Sequence, residues 1–161
     1  MTRLQNIIAY FCTQYPHKGE LSKARLTKLV YLADWFSALA DEKQLTSIKW
    51  LFNHYGPYVD DVFNAVKTGD GFTIAHEKTM YGSDKLLIGF DGNIEPVELS
   101  PRDKQILDAV ITKTKTLYFN DFTDYVYSTF PVVSKDRYSY LDLVGLAQKY
   151  KVESTLTNGS R

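Results

Sequence analysis

Apolar side chains recur every three to four positions over much of this chain, and the interruptions mark off six helical segments and one hairpin. Leu4, Ile7, Ile8 and Phe11 fall at i, i+3, i+4 and i+7, which gives residues 2–15 one apolar face. Thr2 is placed to cap that helix and Pro16 to stop it, and His17-Lys18-Gly19 forms the connection. A second helix starts at Leu21-Ser22, with Ser22 as its N-cap. Leu26, Leu29, Val30, Ala33 and Phe36 or Ser37 form its core stripe. Tyr31, Trp35 and Ala38 widen the stripe, so this helix is expected at the centre of the molecule. Periodicity fades after Ala40, and Asp41-Glu42-Lys43-Gln44 reads as a surface stop. Residues 45–53 read as a short strand or an extended connector. Tyr55-Gly56-Pro57 reads as a turn that opens a third helix, from about Pro57 to Lys67. Val59, Val62, Phe63 and Val66 face inward there, and Asp60 and Asp61 sit where the helix dipole favours negative charge.

Residues 72–81 and 85–91 alternate partially with period two around Gly82-Ser83-Asp84, the pattern of a β-hairpin closed by Asp91-Gly92-Asn93. Ser100-Pro101 with Asp103 is a helix start, followed by Ile106, Leu107, Val110 and Ile111 on one face. A fifth helix is expected from an Asn120 or Asp121 cap to about Thr129, with Phe122, Tyr125 and Val126 inward and Pro131 ending it. A sixth runs from Tyr138 to Tyr150 on Leu141, Val144, Leu146 and Ala147. These elements describe a mainly α-helical single domain: a bundle of about six helices with a small β-hairpin insert, over residues 1–152. Residues 153–161 are expected to form a flexible C-terminal tail.

Composition narrows the functional classes. A chain of 161 residues has enough length for a core without staples, and its one cysteine, Cys12, leaves no intramolecular disulfide to form. This fits a reducing compartment, so a cytoplasmic location is expected. The first residues lack a basic region followed by a long apolar run, and no run approaches the ~18 apolar residues of a membrane span. Acidic and basic residues balance at 19 each, but unevenly: residues 1–50 carry +3, residues 51–99 carry −5 and residues 100–161 carry +2. The acidic middle either solvates a loop and hairpin or faces a basic partner. A nucleic-acid binder is expected to have a basic domain, and this chain is not basic overall. Twelve tyrosines, nine phenylalanines and two tryptophans suit core edges and protein interfaces alike.

No catalytic or metal-binding signature stands out. His17, His54 and His76 do not pair with each other or with Cys12 at ligand spacing, so no metal and no cofactor are expected. Cys12 lies mid-helix beside Phe11 and reads as a buried, inert thiol. Asp60 and Asp61 are adjacent on a helix and point apart, which suits a helix start better than an acid–base pair. Thr68-Gly69-Asp70-Gly71 lacks the phosphate-loop pattern and reads as a turn. A helix-turn-helix reading of residues 100–150 would use Lys113, Lys115, Lys135 and Arg137, but Asp121, Asp124, Asp136 and Asp142 dilute any positive stripe. The most distinctive polar–aromatic set is Lys28, Tyr31, Asp34 and Trp35 on the second helix, followed by Trp50, His54, Tyr55 and Tyr58. It reads either as a buried-edge network locking the helix onto the Tyr-Gly-Pro turn or as a recognition groove. A binding module is expected, not an enzyme.

The order Leu26-Thr27-Lys28-Leu29-Val30-Tyr31-Leu32-Ala33-Asp34, then Trp50, then Tyr55-Gly56-Pro57-Tyr58 and an apolar helix with Val59 and Val62, resembles the Panacea domain family of SocA-like antitoxins. Leu99-Ser100-Pro101, Ile106-Leu107 and Phe122-Thr123-Asp124-Tyr125-Val126 are similar to its second half, so the resemblance spans about residues 4–150. Where many relatives carry Thr-His…Pro-Trp, this chain has Tyr127-Ser128-Thr129-Phe130-Pro131-Val132. The resemblance implies an antitoxin of a bacterial or phage toxin–antitoxin module that neutralises a protein toxin by direct binding. It implies a toxin encoded by an adjacent gene and, in one relative's manner, an adaptor role toward a protease. A DNA-binding regulator using the C-terminal helices is the competing expectation. Lys28, Tyr31, Asp34, Trp35, Trp50, His54, Tyr55 and Tyr58 are the candidate partner-binding residues, the aromatic ones serving as anchors if exposed.

Overall fold

The computed structural model describes residues 1–78, 80, 82, 84–92 and 98–159. Thr79, Tyr81, Ser83 and Asn93 of the expected hairpin, and the last two residues of the expected tail, lie outside the described residues. Among those described, the chain is mainly α, with seven α-helices, one 3₁₀ turn and five short strands.

Helix α1 (Arg3–Gln14) begins with a reciprocal capping box: Gln5 N–H donates to the Thr2 hydroxyl, and Thr2 N–H donates to the Gln5 side chain. After a 3₁₀ turn at Lys18–Glu20, helix α2 (Lys23–Asp41) is capped by Ser22 and closed by Glu42 in the left-handed conformation. Its apolar positions are buried on nearly every side, from Leu26 to Ala38. A helix that is apolar almost all round belongs in the middle of a fold, and α2 packs against α1 and against three helices and two strands that follow it.

Strands β1 (Trp50–Asn53) and β2 (Gly56–Tyr58) form a tight antiparallel pair. This corrects the expected helix start at Pro57: Gly56, Pro57 and Tyr58 are strand, and helix α3 spans Asp61–Thr68. Proline has no N–H to donate and is tolerated where one edge of the strand is free; β2 is such an edge. Strands β3 (Phe72–Lys78) and β4 (Asp84–Phe90) form the expected hairpin in unbroken register. Ile88 is buried and its N–H bonds the Leu21 carbonyl, which fastens the hairpin beside α1 and α2.

Helix α4 (Pro101–Thr114) has the expected Ser100 cap, again as a capping box, here with Asp103. The Arg3 guanidinium grips Asp103 at 2.9 and 3.1 Å and also donates to the Leu45 carbonyl at 2.7 Å, tying the starts of α1 and α4 together. Helix α5 (Phe119–Ser128) ends at Thr129. Pro131 then begins a short helix, α6 (Phe130–Ser134), where a proline in the first turn costs no hydrogen bond.

The expected sixth helix is the largest correction in the C-terminal part. Residues Tyr140–Leu141 are a strand, β5, which pairs with β1 and completes a sheet of order β2-β1-β5. Phe52 N–H donates to the Ser139 carbonyl and Tyr138 N–H to the Phe52 carbonyl, so this segment spends its backbone groups on the sheet. Helix α7 (Leu143–Gly159) starts only after Asp142, which accepts from Gly145 N–H. It continues through most of the segment expected as a tail. Buried side chains from these elements form one hydrophobic cluster. No described helix is long and apolar enough to cross a membrane.

Candidate functional site

The eight candidate residues divide into an interior group and a surface group. Asp34 is fully buried on α2, and its carboxylate is the hub of the interior group. It accepts from the Trp50 indole N–H at 2.8 Å, from Thr46 N–H at 2.9 Å, from the Thr46 hydroxyl and from the Gln44 amide at 3.2 Å. Gln44 also reaches the carbonyls of Thr46 and Ile48, so the carboxylate shapes the whole connector between α2 and β1. Burial pushes the Asp34 carboxyl up to about 6, against the donors that favour its charged form.

Tyr31 and Trp50 are also fully buried and meet edge to face, with ring centroids 5.6 Å apart. The Thr129 hydroxyl donates to the Val126 carbonyl at 2.6 Å, which leaves Tyr31 to donate to Thr129 at 2.8 Å. Trp35 is buried away from this group and packs edge-on against Tyr150 of α7. Tyr31, Asp34, Trp35 and Trp50 therefore hold α2 to β1, to the end of α5 and to α7. They are not displayed as a groove. The lock closes on the connector and on β1, not on the Tyr-Gly-Pro turn where it was expected. Gly56 in that turn has φ +91°, and a Cβ there would sit 3.3 Å from the Tyr127 ring.

His54 and Tyr55 are on the outside, and Tyr58 is half-buried at the edge of the same sheet. His54 and Tyr55 are exposed in the β1–β2 turn with their rings 4.9 Å apart, and Tyr55 is 71 % accessible. The Tyr58 hydroxyl donates to Asp60 at 3.0 Å. Two tyrosines expected within the sixth helix, Tyr138 and Tyr140, join them. Trp50, Phe52 and Leu141 point inward, so strand alternation sends Leu51 and Tyr140 outward. Leu51 pairs with Tyr58 on one side and Tyr140 on the other, forming a row across the outer sheet face. Tyr138, at φ +67°, and Tyr140 are 67 % and 71 % exposed. A non-glycine residue in that region costs about 1 kcal/mol or more, offset here by the Tyr138–Phe52 backbone bond.

Lys28 fits neither group. It is 8 % exposed, and among the described residues its amine has no hydrogen-bond or ion-pair partner. Burial alone lowers its pKa below the lysine range. Cys12 is buried, and burial raises its thiol to about 12, away from nucleophile chemistry. A hollow of about 370 Å³ between α1 and the hairpin is lined by Cys12, Thr13, Lys18 and Ile88 among others. The Lys18 amine is spent there on the Cys12 and Thr13 carbonyls.

A family model described as "Antitoxin SocA-like, Panacea domain" matches residues 26–131. The chain belongs to this family. No curated protein and no solved structure matches it. The Panacea match begins on α2 one residue after Arg25 and ends at Pro131 in α6. It contains the whole Asp34 lock and the β1–β2 pair. The third strand of the sheet and helix α7, with Tyr138, Tyr140 and Tyr150, lie beyond the matched span.

Proposed function

We propose that this chain is the antitoxin of a toxin–antitoxin pair and neutralises a protein toxin by binding it directly in the cytoplasm, without catalysis of its own. Membership of the SocA-like Panacea family over residues 26–131 carries the reading. The surface that suits it is the outer face of the β2-β1-β5 sheet, where Tyr58, Leu51 and Tyr140 form a row beside Tyr138 and Tyr55. Tyrosine gives large contact area at low entropic cost and is enriched in protein interfaces. An interface of about 1,600 Å² with a few such anchors is of ordinary size. Against a DNA-binding role, Lys113 lies over the Tyr125 ring and Arg137 over the Phe52 ring, which supports packing roles for two of the four cations that role would use.

The test is co-expression with the product of the adjacent open reading frame. The neighbour is expected to arrest growth alone and to be silenced by this chain. Tyr55→Ala/Tyr140→Ala is expected to fold normally and to lose protection. A harmless neighbour, or one equally toxic in the presence of the chain, refutes the proposal.

A further inference from the structure

Two cations are buried on α2, and the fold treats them differently. Arg25 donates to the Tyr15 hydroxyl at 2.7 Å and to the Thr114 and Leu117 carbonyls at 3.0 and 2.7 Å. Lys28, one turn later, has 8 % exposure and, among the described residues, no acceptor and no carboxylate within ion-pair range. Lysine is almost never buried to this extent unless it is paired. A largely buried ammonium with no carboxylate beside it keeps only what solvation its tip retains, so a counter-charge supplied from outside the chain would be favoured there.

Its place is fixed by its neighbours on the helix. Arg25, Lys28 and Tyr31 follow at intervals of three and share one side of α2. The Arg25 guanidinium lies 4.1 Å from the Phe122 ring centroid, and Tyr31 bonds Thr129. Phe122 lies in α5 and Thr129 caps its end, so Lys28 falls on α2 between two side-chain contacts that join α2 to α5 and mark a seam between them. Helical side chains lean toward the N-terminal turn, which directs Lys28 toward Ala24, a small and exposed residue one turn back. The amine is not among the fully enclosed polar atoms that lack a partner, so its tip still meets solvent.

We propose that Lys28 is an anchoring cation, and that an aspartate or glutamate side chain of the protein partner docks at the Ala24 end of the α2–α5 seam to neutralise it. The inference rests on the antitoxin reading above. Charge complementarity chooses the occupant: a largely buried cation with one solvated tip favours a carboxylate over a neutral group. The attraction is stronger there than on open surface.

Two variants test it against the purified product of the adjacent frame. Lys28→Met keeps the volume and removes the charge. Ala24→Glu places a carboxylate four residues before Lys28, the favourable order for a helix pair, and so supplies the missing counter-ion from within the chain. Both are expected to raise or preserve the urea midpoint of the free protein, and each to weaken binding by roughly 30-fold or more. Binding within threefold of wild type in both variants overturns the proposal, as does a binding loss accompanied in both by a fall in midpoint, which would make Lys28 a packing residue. A neighbour that is toxic and is silenced equally well by Lys28→Met removes the anchor but leaves the antitoxin reading standing. A neighbour that is not toxic removes both.

Discussion

Asp34→Asn is the substitution that best separates the two forces acting at the interior lock. The wild-type carboxyl is fully buried and is held at about 6, while an unfolded chain titrates it near 3.8. Between those values the folded state holds a proton that the unfolded state has released. Stability from this group is therefore complete below pH ~4, declines as pH rises through the window and is lost above the folded value. Two pH units correspond to about 3 kcal/mol at 1.36 kcal/mol per unit, as an order of magnitude. Asparagine fills the same space and does not titrate. Its stability difference from wild type is expected to move by about that amount in the variant's favour between pH 4 and pH 7.

Urea denaturation at pH 4, 5, 6 and 7 measures this directly. Trp35 and Trp50 are the two tryptophans, and both are buried, so fluorescence reports loss of the core. Titration of Asp103 is separated by its sign: the Arg3 guanidinium holds that carboxyl below the ordinary range, so its stabilisation is lost only as pH falls beneath that range. A difference between wild type and Asp34→Asn that stays flat from pH 4 to pH 7 refutes the reasoning. It would mean that the four donors from Gln44, Thr46 and Trp50 outweigh burial and keep the carboxyl at its ordinary value.

Three other substitutions probe the scaffold. Thr129→Val strands the buried Tyr31 hydroxyl and is expected to cost about 1–3 kcal/mol in urea unfolding, whereas Tyr31→Phe/Thr129→Val recovers part of that loss. Gly56→Ala meets both a φ of +91° and the Tyr127 ring at 3.3 Å, with an expected cost of about 1–3 kcal/mol; a Tm equal to wild type contradicts this. Asp103→Ala removes a helix cap and the bidentate Arg3 contact, for about 1–2 kcal/mol at pH 7, discounted because Arg3 is partly solvated. That cost is expected to shrink only as pH falls beneath the ordinary carboxylate range and through the lower folded value, where the wild-type carboxyl is at last protonated.

The parts of the fold legible in the sequence are those set by local chemistry. Thr2, Ser22 and Ser100 cap the helices expected of them because a side-chain oxygen beside free N–H groups is a short-range arrangement. The stretch 138–141 departs from the expected helix because long-range pairing overrides local pattern: Leu141 fits a helical stripe equally well, but strand β1 offers its backbone partners from about ninety positions away. The same cause hid Tyr138 and Tyr140 from the candidate surface and Thr46, Gln44 and Thr129 from the lock. For the eight candidates, residue type alone did not separate inside from outside: Trp50 and Tyr55 are five positions apart, one fully buried and one largely exposed.

This division has a consequence for how partner choice is separated from folding. Tyr31, Asp34 and Trp50 spend their polar atoms on the connector, β1 and Thr129, so changes there alter stability first. Tyr55, Tyr58 and Tyr140 stand on the other side of the sheet that the lock secures, with no polar tie to it among the described residues; the Tyr58 hydroxyl goes to Asp60. Sites without shared partners are nearly additive. Substitutions on the outer face should therefore shift neutralisation with little change in urea midpoint, and lock substitutions should shift the midpoint with binding preserved in whatever fraction remains folded. A lock variant that folds fully yet fails to neutralise would show that the two groups act as one unit, and that the buried residues set the pose of the surface tyrosines.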